Sequence, residues 1–448
     1  MAHEPALERL RELIRIPTIS RVDTAQMDFD EFERFIHAME RLYPLVHKHL
    51  ERERVAGHSL LYRWTGASSD SAASKSPSVL MAHYDVVAAT DDGWDHPPFA
   101  AEVTGEGDGR ILWGRGTLDD KGALTCVLES VESLLAEGFT PAGDVYLSFG
   151  HNEETAGDGA VQAVELLRSR GVVPRFVLDE GGAIVEGVFP GVSAPIAVVG
   201  VSEKGITTLR LSVEERGGHA SMPPRDTATA TLARAIVRLN ARPHKAGLSA
   251  TNIEMLNTVG AHAKGIYRFL FTQTWLTRGI LKLAFARLSE ETAAMIRTTQ
   301  AVTMLRAGLA ENALAERAVA TVNIRVAVGS SVAEAVEHVR KAVRDERVTI
   351  EVADPSEPSP VSPTAGAQWE SLRAAIEQTY PGTVVTPYVM LGASDARRFT
   401  AISDHVYRFS PFEMSKAERD TLHAKNERMH VATFLRGIEF YRTLVRGL

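Results

Sequence analysis

The 448-residue chain has a single cysteine, Cys126. No internal disulfide can form, so the chain fits a reducing compartment, and any bound metal must be held by His, Asp and Glu rather than thiolates. A basic excess is also missing: 49 Lys and Arg stand against 57 Asp and Glu, a net charge of −8. That excludes a generally cationic coat for nucleic acid. The N-terminus has no apolar core followed by a small-residue cleavage site, so a cytoplasmic protein without a secretory leader is expected. No internal repeat is visible. No run approaches the ~20 nearly uncharged apolar residues of a membrane span. The nearest, Ile266 to Leu288, is broken by Arg268, Arg278, Lys282 and Arg287. It reads as a helix buried in the protein or at a subunit contact, or as a surface that covers an apolar substrate or touches lipid.

What is present is ordinary globular composition, 44% hydrophobic and 24% charged, with length for two or three domains. Leu7, Leu10, Leu13 and Ile14 share one face of a helix that Pro17 stops. Three short apolar runs follow, Val79 to Ala82, Val145 to Phe149 and Phe176 to Leu178, and each ends in a histidine or carboxylates. Helical segments lie between them: Gly122 to Glu137, closed by Gly138, and Gly159 to Arg170, closed by Gly171. Strand and helix in alternation predict an α/β fold with a mostly parallel sheet covered on both faces, and ligands at the carboxyl ends of its strands.

After Val201 the pattern turns to alternation, at 208–213 and 320–326, each followed by a helical stretch, Thr227 to Asn240 and Ser331 to Arg344. Antiparallel strands with one exposed face suit this. The expected organisation is a first part over 1–201, an inserted α+β domain over 202–356, and a second part of the first domain over 357–448. The Pro-rich piece 354–363 is expected to be the return linker, and the Ser/Ala-rich stretch 66–77 a mobile surface loop.

The strand ends and adjoining loops carry His83 and Asp85, Asp119 and Asp120, Glu153 and Glu154, and Asp179. Gathered at one edge, these carboxylates would repel one another and raise their own pKa values unless cations neutralise them. Divalent metal is the natural solution. Imidazole and carboxylate without thiolate suit zinc, and also manganese or cobalt. Taken singly, a His-x-Asp is a chance occurrence and an acidic pair after a strand is a helix cap or a solvated loop. Their combination, in order and at strand ends, is far more specific.

Met81-Ala-His83-Tyr-Asp85, Gly114-Arg-Gly116-Thr-Leu-Asp119-Asp120-Lys-Gly122, Gly150-His-Asn-Glu153-Glu154 and Gly217-Gly-His219-Ala-Ser221 resemble the M20 family of metallopeptidases and aminoacylases. The likeness runs from Leu10 to the C-terminal helix. Leu178-Asp179-Glu180-Gly-Gly182 and His423-Ala-Lys-Asn426-Glu427 look most like the branch of carboxypeptidase S and related N-acyl-amino-acid hydrolases. The resemblance implies two divalent ions, one on His83, Asp119 and Asp179, the other on Asp119, Glu154 and His423, with Asp119 bridging. It implies that Asp85 fixes the His83 tautomer, that Glu153 is the general base, and that the Asp119–Asp120 peptide is cis. The family pattern has an acidic residue where this chain has Asn152; tuning rather than loss of activity is expected there.

The same resemblance implies that His219 reaches the active site of a partner subunit and stabilises an oxyanion, which makes the protein a homodimer through a lid and dimerisation domain. Asn312 and Arg325 match positions that contact the substrate carbonyl and carboxylate, and the loop at Gly392 one near that carboxylate. The implied reaction is cleavage of an amide next to a C-terminal carboxylate in a small substrate, an N-acyl amino acid or short peptide. A dipeptidase or aminopeptidase of the same family is the alternative. A non-catalytic relative would have lost ligands or the base, and all are present.

Overall fold

The computed structural model describes residues 4–67 and 76–448; most of the stretch 66–77 lies outside them. Two of the apolar runs become the fully buried strands Ser78–His83 and Val145–Gly150, which pair in parallel. Phe176–Asp179 joins the other side of Ser78–His83, also in parallel. Burial on both faces explains why these strands show no polar alternation. The nine-stranded sheet continues through Ser59–Trp64 to Glu51–Val55 on one side, and through Val406–Arg408, Ile196–Glu203 and Val384–Met390 on the other. The sheet is thus parallel at its centre, with the pair Glu51–Val55 and Ser59–Trp64 antiparallel at one end.

The helix Lys121–Ala136 is buried over most of its length and packs against the C-terminal helix Val431–Gly447. Gly138 follows it at φ 73°, the left-handed turn that glycine takes without a Cβ penalty. Lys121 is itself buried. Its Nζ donates to the carbonyls of Leu13 and Ile16 at 3.2 and 2.5 Å, tying down the end of the helix Glu4–Ile14, and burial lowers its pKa to about 7.

A second, antiparallel sheet runs in the order Thr299–Ala307, Arg317–Val326, Gly205–Glu214, Thr349–Ser356. The helices Ala228–Asn240 and Val332–Val343 cover one face, and a separate core forms around Leu211, Leu232, Val322, Ile324 and Val339. Thr227 and Ser331 cap these helices by accepting the Ala230 and Glu334 amides.

Two features differ from expectation. The helices between Ala250 and Met295, read as part of the insert, share the first domain's core through Met255, Leu256, Val259, Phe271, Leu281 and Phe285. The insert proper is the four-stranded sheet with its two helices. The return segment is also shorter than read, because Thr349–Ser356 is a strand that takes in Asp354 and Pro355. It lies at the sheet edge, where the missing proline amide removes no ladder bond.

Candidate active site

His83 ends its strand with both ring nitrogens engaged. Nδ1 lies 3.0 Å from the Asp85 carbonyl and 3.2 Å from Asp85 Oδ1; Nε2 lies 3.0 Å from Asp119 Oδ1. The other oxygen of Asp119 is 2.8 Å from His423 Nε2, which is 3.1 Å from Glu154 Oε2. One carboxylate therefore spans two histidines that are 340 residues apart in sequence (423 − 83). The Asp119–Asp120 peptide is cis, as expected. Asp85 does more than face His83. Fully buried, it accepts the backbone amides of Glu153 and Glu154 at 3.2 Å each, holding the turn that carries both carboxylates.

The strand Phe176–Asp179 ends in two acids beside the site, the expected Asp179 and its neighbour Glu180. Asp179 Oδ2 accepts the Ala396 amide at 2.8 Å, whereas Glu180 Oε1 lies 3.6 Å from His83 Nε2. Donor atoms of His83, Glu153 and Glu180 fall within 4.8 Å of one another, as do those of His83, Asp119 and Glu154. Burial raises the pKa of Asp179, and the His83 charge acts on it as well, pulling against that rise.

Two residues with no assigned role organise these groups. Buried Glu427 accepts from Arg115 at 2.6 Å and from the amides of Gly116, Leu118 and Asp119, fixing the loop that presents Asp119. Asp395 closes the far side: a Cβ on Gly150 would stand 3.0 Å from its Oδ2. A side chain there would have to push the Asp395 carboxylate aside.

Electrostatics fit a cation-binding role. Burial, reinforced by the Asp119 charge, pushes Glu180 up to about 8; burial and Asp179 push Asp395 up to about 7. Burial raises Glu153 well above the usual carboxylate range. Hydrogen bonds to Asp119 and Glu154 lift His423 to about 10. For Asp119 burial pulls upward, but the bonds to His423 and His83 prevail and lower it. Two buried oxygens, Asp120 Oδ1 and Glu154 Oε1, have no hydrogen-bond partner. Crowded acids and orphaned oxygens beside two imidazoles form a donor set that fits divalent ions with N and O preference.

The insert brings its residues near one another but not to the acids. His219 pairs with Ala313 in a two-stranded ribbon, and the Ala220 amide donates to the Asn312 carbonyl. His219 and Asn312 are both exposed. The Ser221 amide donates to His219 Nδ1 at 3.1 Å, which puts the ring proton on Nε2. Arg325, half-buried, has its Nε on Asn323 Oδ1 at 3.2 Å and no acidic partner among the described residues. Burial lowers its pKa. Its charge also helps lower Lys204, which burial brings to about 8, and Arg397. Arg397 stands 3.8 Å from Glu203. Gly392 has open space where a Cβ would be.

Histidines and carboxylates gathered at the carboxyl edge of an α/β sheet, beside a separate antiparallel domain, define a dinuclear metallohydrolase. Residues 79–447 match the model of peptidase family M20/M25/M40, and the chain belongs to that family, as an M20 metallopeptidase or amidohydrolase. It is 35% identical over 451 residues to a probable carboxypeptidase S-like 2 of Dictyostelium discoideum, covering 98% of this chain and 85% of the relative. It is 36% identical over 452 residues to the N-fatty-acyl-amino acid synthase/hydrolase PM20D1 of Xenopus tropicalis, with the same coverage. Among solved structures, the M20 family metallo-carboxypeptidase Sso-CP2 of Sulfolobus solfataricus superposes with a TM-score of 0.70 at 17% identity, covering 98% of each chain.

Proposed function

We propose that this enzyme is an N-acyl-amino-acid amidohydrolase, cleaving the amide next to a free carboxylate. One observation carries the reading: a single turn joins the acidic centre to Arg397, which lies near Arg325, a guanidinium with no acidic partner among the described residues. Asp395 faces the acids, the Ala396 amide holds Asp179, and Arg397 stands beside Glu203 and shares the field of Arg325. Two residues of backbone reach no more than about 7 Å, the scale of an amino acid between its acyl nitrogen and its carboxylate.

His83, Asp119, Glu154, His423 and the pair Asp179 and Glu180 would hold two divalent ions, zinc by donor type, which would supply Lewis acidity to the amide carbonyl and to water. Glu153, with its raised pKa, takes the proton of the attacking water and delivers it to the leaving nitrogen. Asp85 keeps Glu153 and His83 in register. Arg325 clamps the substrate carboxylate, a task suited to a planar guanidinium with no competing acid. His219 donates from Nε2 to the developing oxyanion, and because it is exposed on its own chain, a second subunit supplies it across a homodimer formed by the inserted domain.

The relatives named N-fatty-acyl-amino acid synthase/hydrolase favour a blocked amine, and those named carboxypeptidase S support peptide cleavage as the second reading. One amino acid assayed as a free dipeptide and as a series of N-acyl derivatives decides. Faster turnover of the acyl series is expected; preference for the free dipeptide would overturn the proposal.

A further inference from the structure

The helices Ile266–Thr272 and Thr274–Leu288 give only one side to the fold's core. One side is anchored: Phe271, Leu281 and Phe285 are buried in the first domain. The opposite side is apolar as well. Trp275, Leu276, Ile280, Leu283 and Leu288 are each 53–76% exposed, with Ile266 and Phe269 beside them on the preceding helix. Leu276, Ile280 and Leu283 follow i, i+4, i+7 spacing, so they form a continuous outward stripe rather than scattered apolar contacts.

Charge says what meets this stripe. No Asp or Glu occurs from residue 255 through 289, although the chain as a whole carries −8. Lys264, Arg268, Arg278, Lys282 and Arg287 fall within that stretch, and none has an ion-pair partner among the described residues. At 100° per residue, Arg278 and Lys282 lie beside the stripe on the side of Trp275, and Arg287 continues the line of Leu276, Ile280 and Leu283 at its C-terminal end. A helix with one face locked to the protein, an aromatic and aliphatic outer face, and a rim of free cations has the form of an interfacial helix. No helix of the described residues is long and apolar enough to cross a membrane.

We propose that this face docks on an anionic lipid bilayer, with Trp275, Leu276, Ile280 and Leu283 entering the headgroup boundary and the five cations facing lipid phosphates. An acyl chain in a channel would need walls on several sides, and these side chains are open to solvent. A second copy would set five like charges against five. Lipid satisfies both the apolar stripe and the cations. The proposal does not depend on which amide is cleaved.

Vesicle sedimentation tests it. The whole protein is mixed with sucrose-loaded vesicles of phosphatidylcholine alone, or of phosphatidylcholine with phosphatidylglycerol. Binding is expected to the anionic vesicles, weakening as salt rises. At about 1 kcal/mol per cation near the surface, the triple change Arg278→Gln, Lys282→Gln, Arg287→Gln should lower the partition coefficient about a hundredfold. Hydrolysis of a water-soluble substrate should be unchanged. Anionic vesicles should also shift tryptophan emission to the blue in the native protein and not in Trp275→Phe. Failure of the native protein to sediment with anionic vesicles would overturn the proposal, as would equal binding by the triple variant. So would a vesicle-free dimer that Trp275→Glu splits, since a second copy would then own the face.

Discussion

The strand-end acids and the inserted domain's ribbon present two ways of holding a functional side chain. At the strand ends the acids are held by a buried frame: Asp85 holds the turn of Glu153 and Glu154, Glu427 holds the loop of Asp119, and Asp119 spans buried His83 and the more exposed His423. On the ribbon, His219 and Asn312 face solvent, and His219 keeps only its Ser221 contact. The difference separates two tasks. Groups that hold charge need a scaffold complete before substrate arrives, whereas groups that cover substrate must let it enter.

The sharpest way to break this contrast is at the base. Glu153→Gln removes a proton acceptor and leaves the proposed ion-holding residues intact, so kcat should fall about 10²–10⁴-fold while metal content by mass spectrometry stays at the native level. Loss of metal together with rate would move Glu153 into the ligand set.

The ribbon comes next. His219→Ala should lower kcat about 10²–10³-fold. Mixing it with Glu153→Gln should restore about a quarter of native activity, because half of randomly paired dimers are hybrids and each hybrid has one intact site of two. No recovery despite demonstrated subunit exchange would place His219 within its own chain's site.

A smaller effect is expected at the clamp. Arg325→Leu should reduce kcat/KM about 10–100-fold for substrates with a free carboxylate, the worth of one or two charged hydrogen bonds at about 1.5 kcal/mol or more each. For the corresponding carboxamides it should change little; equal losses on both would deny Arg325 a carboxylate partner.

The smallest effect is in stability. Glu180 and Asp395 have folded-state pKa values of about 8 and about 7, above those of an unfolded chain. A raised value contributes stability that is present below pH ~4 and lost as pH rises through the folded pKa. Metal-free protein should therefore melt at progressively lower temperature from about pH 4 to pH 8 by calorimetry. Metal-loaded protein should lack that decline, since bound cations favour the ionised carboxylates. Parallel profiles with and without metal would show that these acids are not the binding set.

Much of this was legible in the sequence, because buried parallel strands announce themselves as apolar runs and their ends as polar clusters. The approach of Glu180 to His83 beside Asp179 was not, since it requires knowing where the strand's alternation stops. The placement of the helices 250–295 was also hidden. Amphipathic spacing tells that one face is covered, never by what, and here the cover is the first domain's core. Glu427 and Arg115 lie 312 residues apart, and neither carries a local signal that it needs the other. Arg325 and Arg397 meet only through the folding of the insert onto its host. His219 stood out by its Gly-Gly-His setting, but its proton position came from Ser221.

Glu427 also sets an order of events during synthesis. Asp119 emerges early, but the carboxylate that fixes its loop and the His423 imidazole on its far side follow it by 308 and 304 residues. A ribosome-bound nascent chain can form the first strands and the inserted domain long before those residues exist. Until they do, it carries acids without the imidazole that faces two of them. A protein truncated before His423 should therefore fold in part and bind metal more weakly than the full chain.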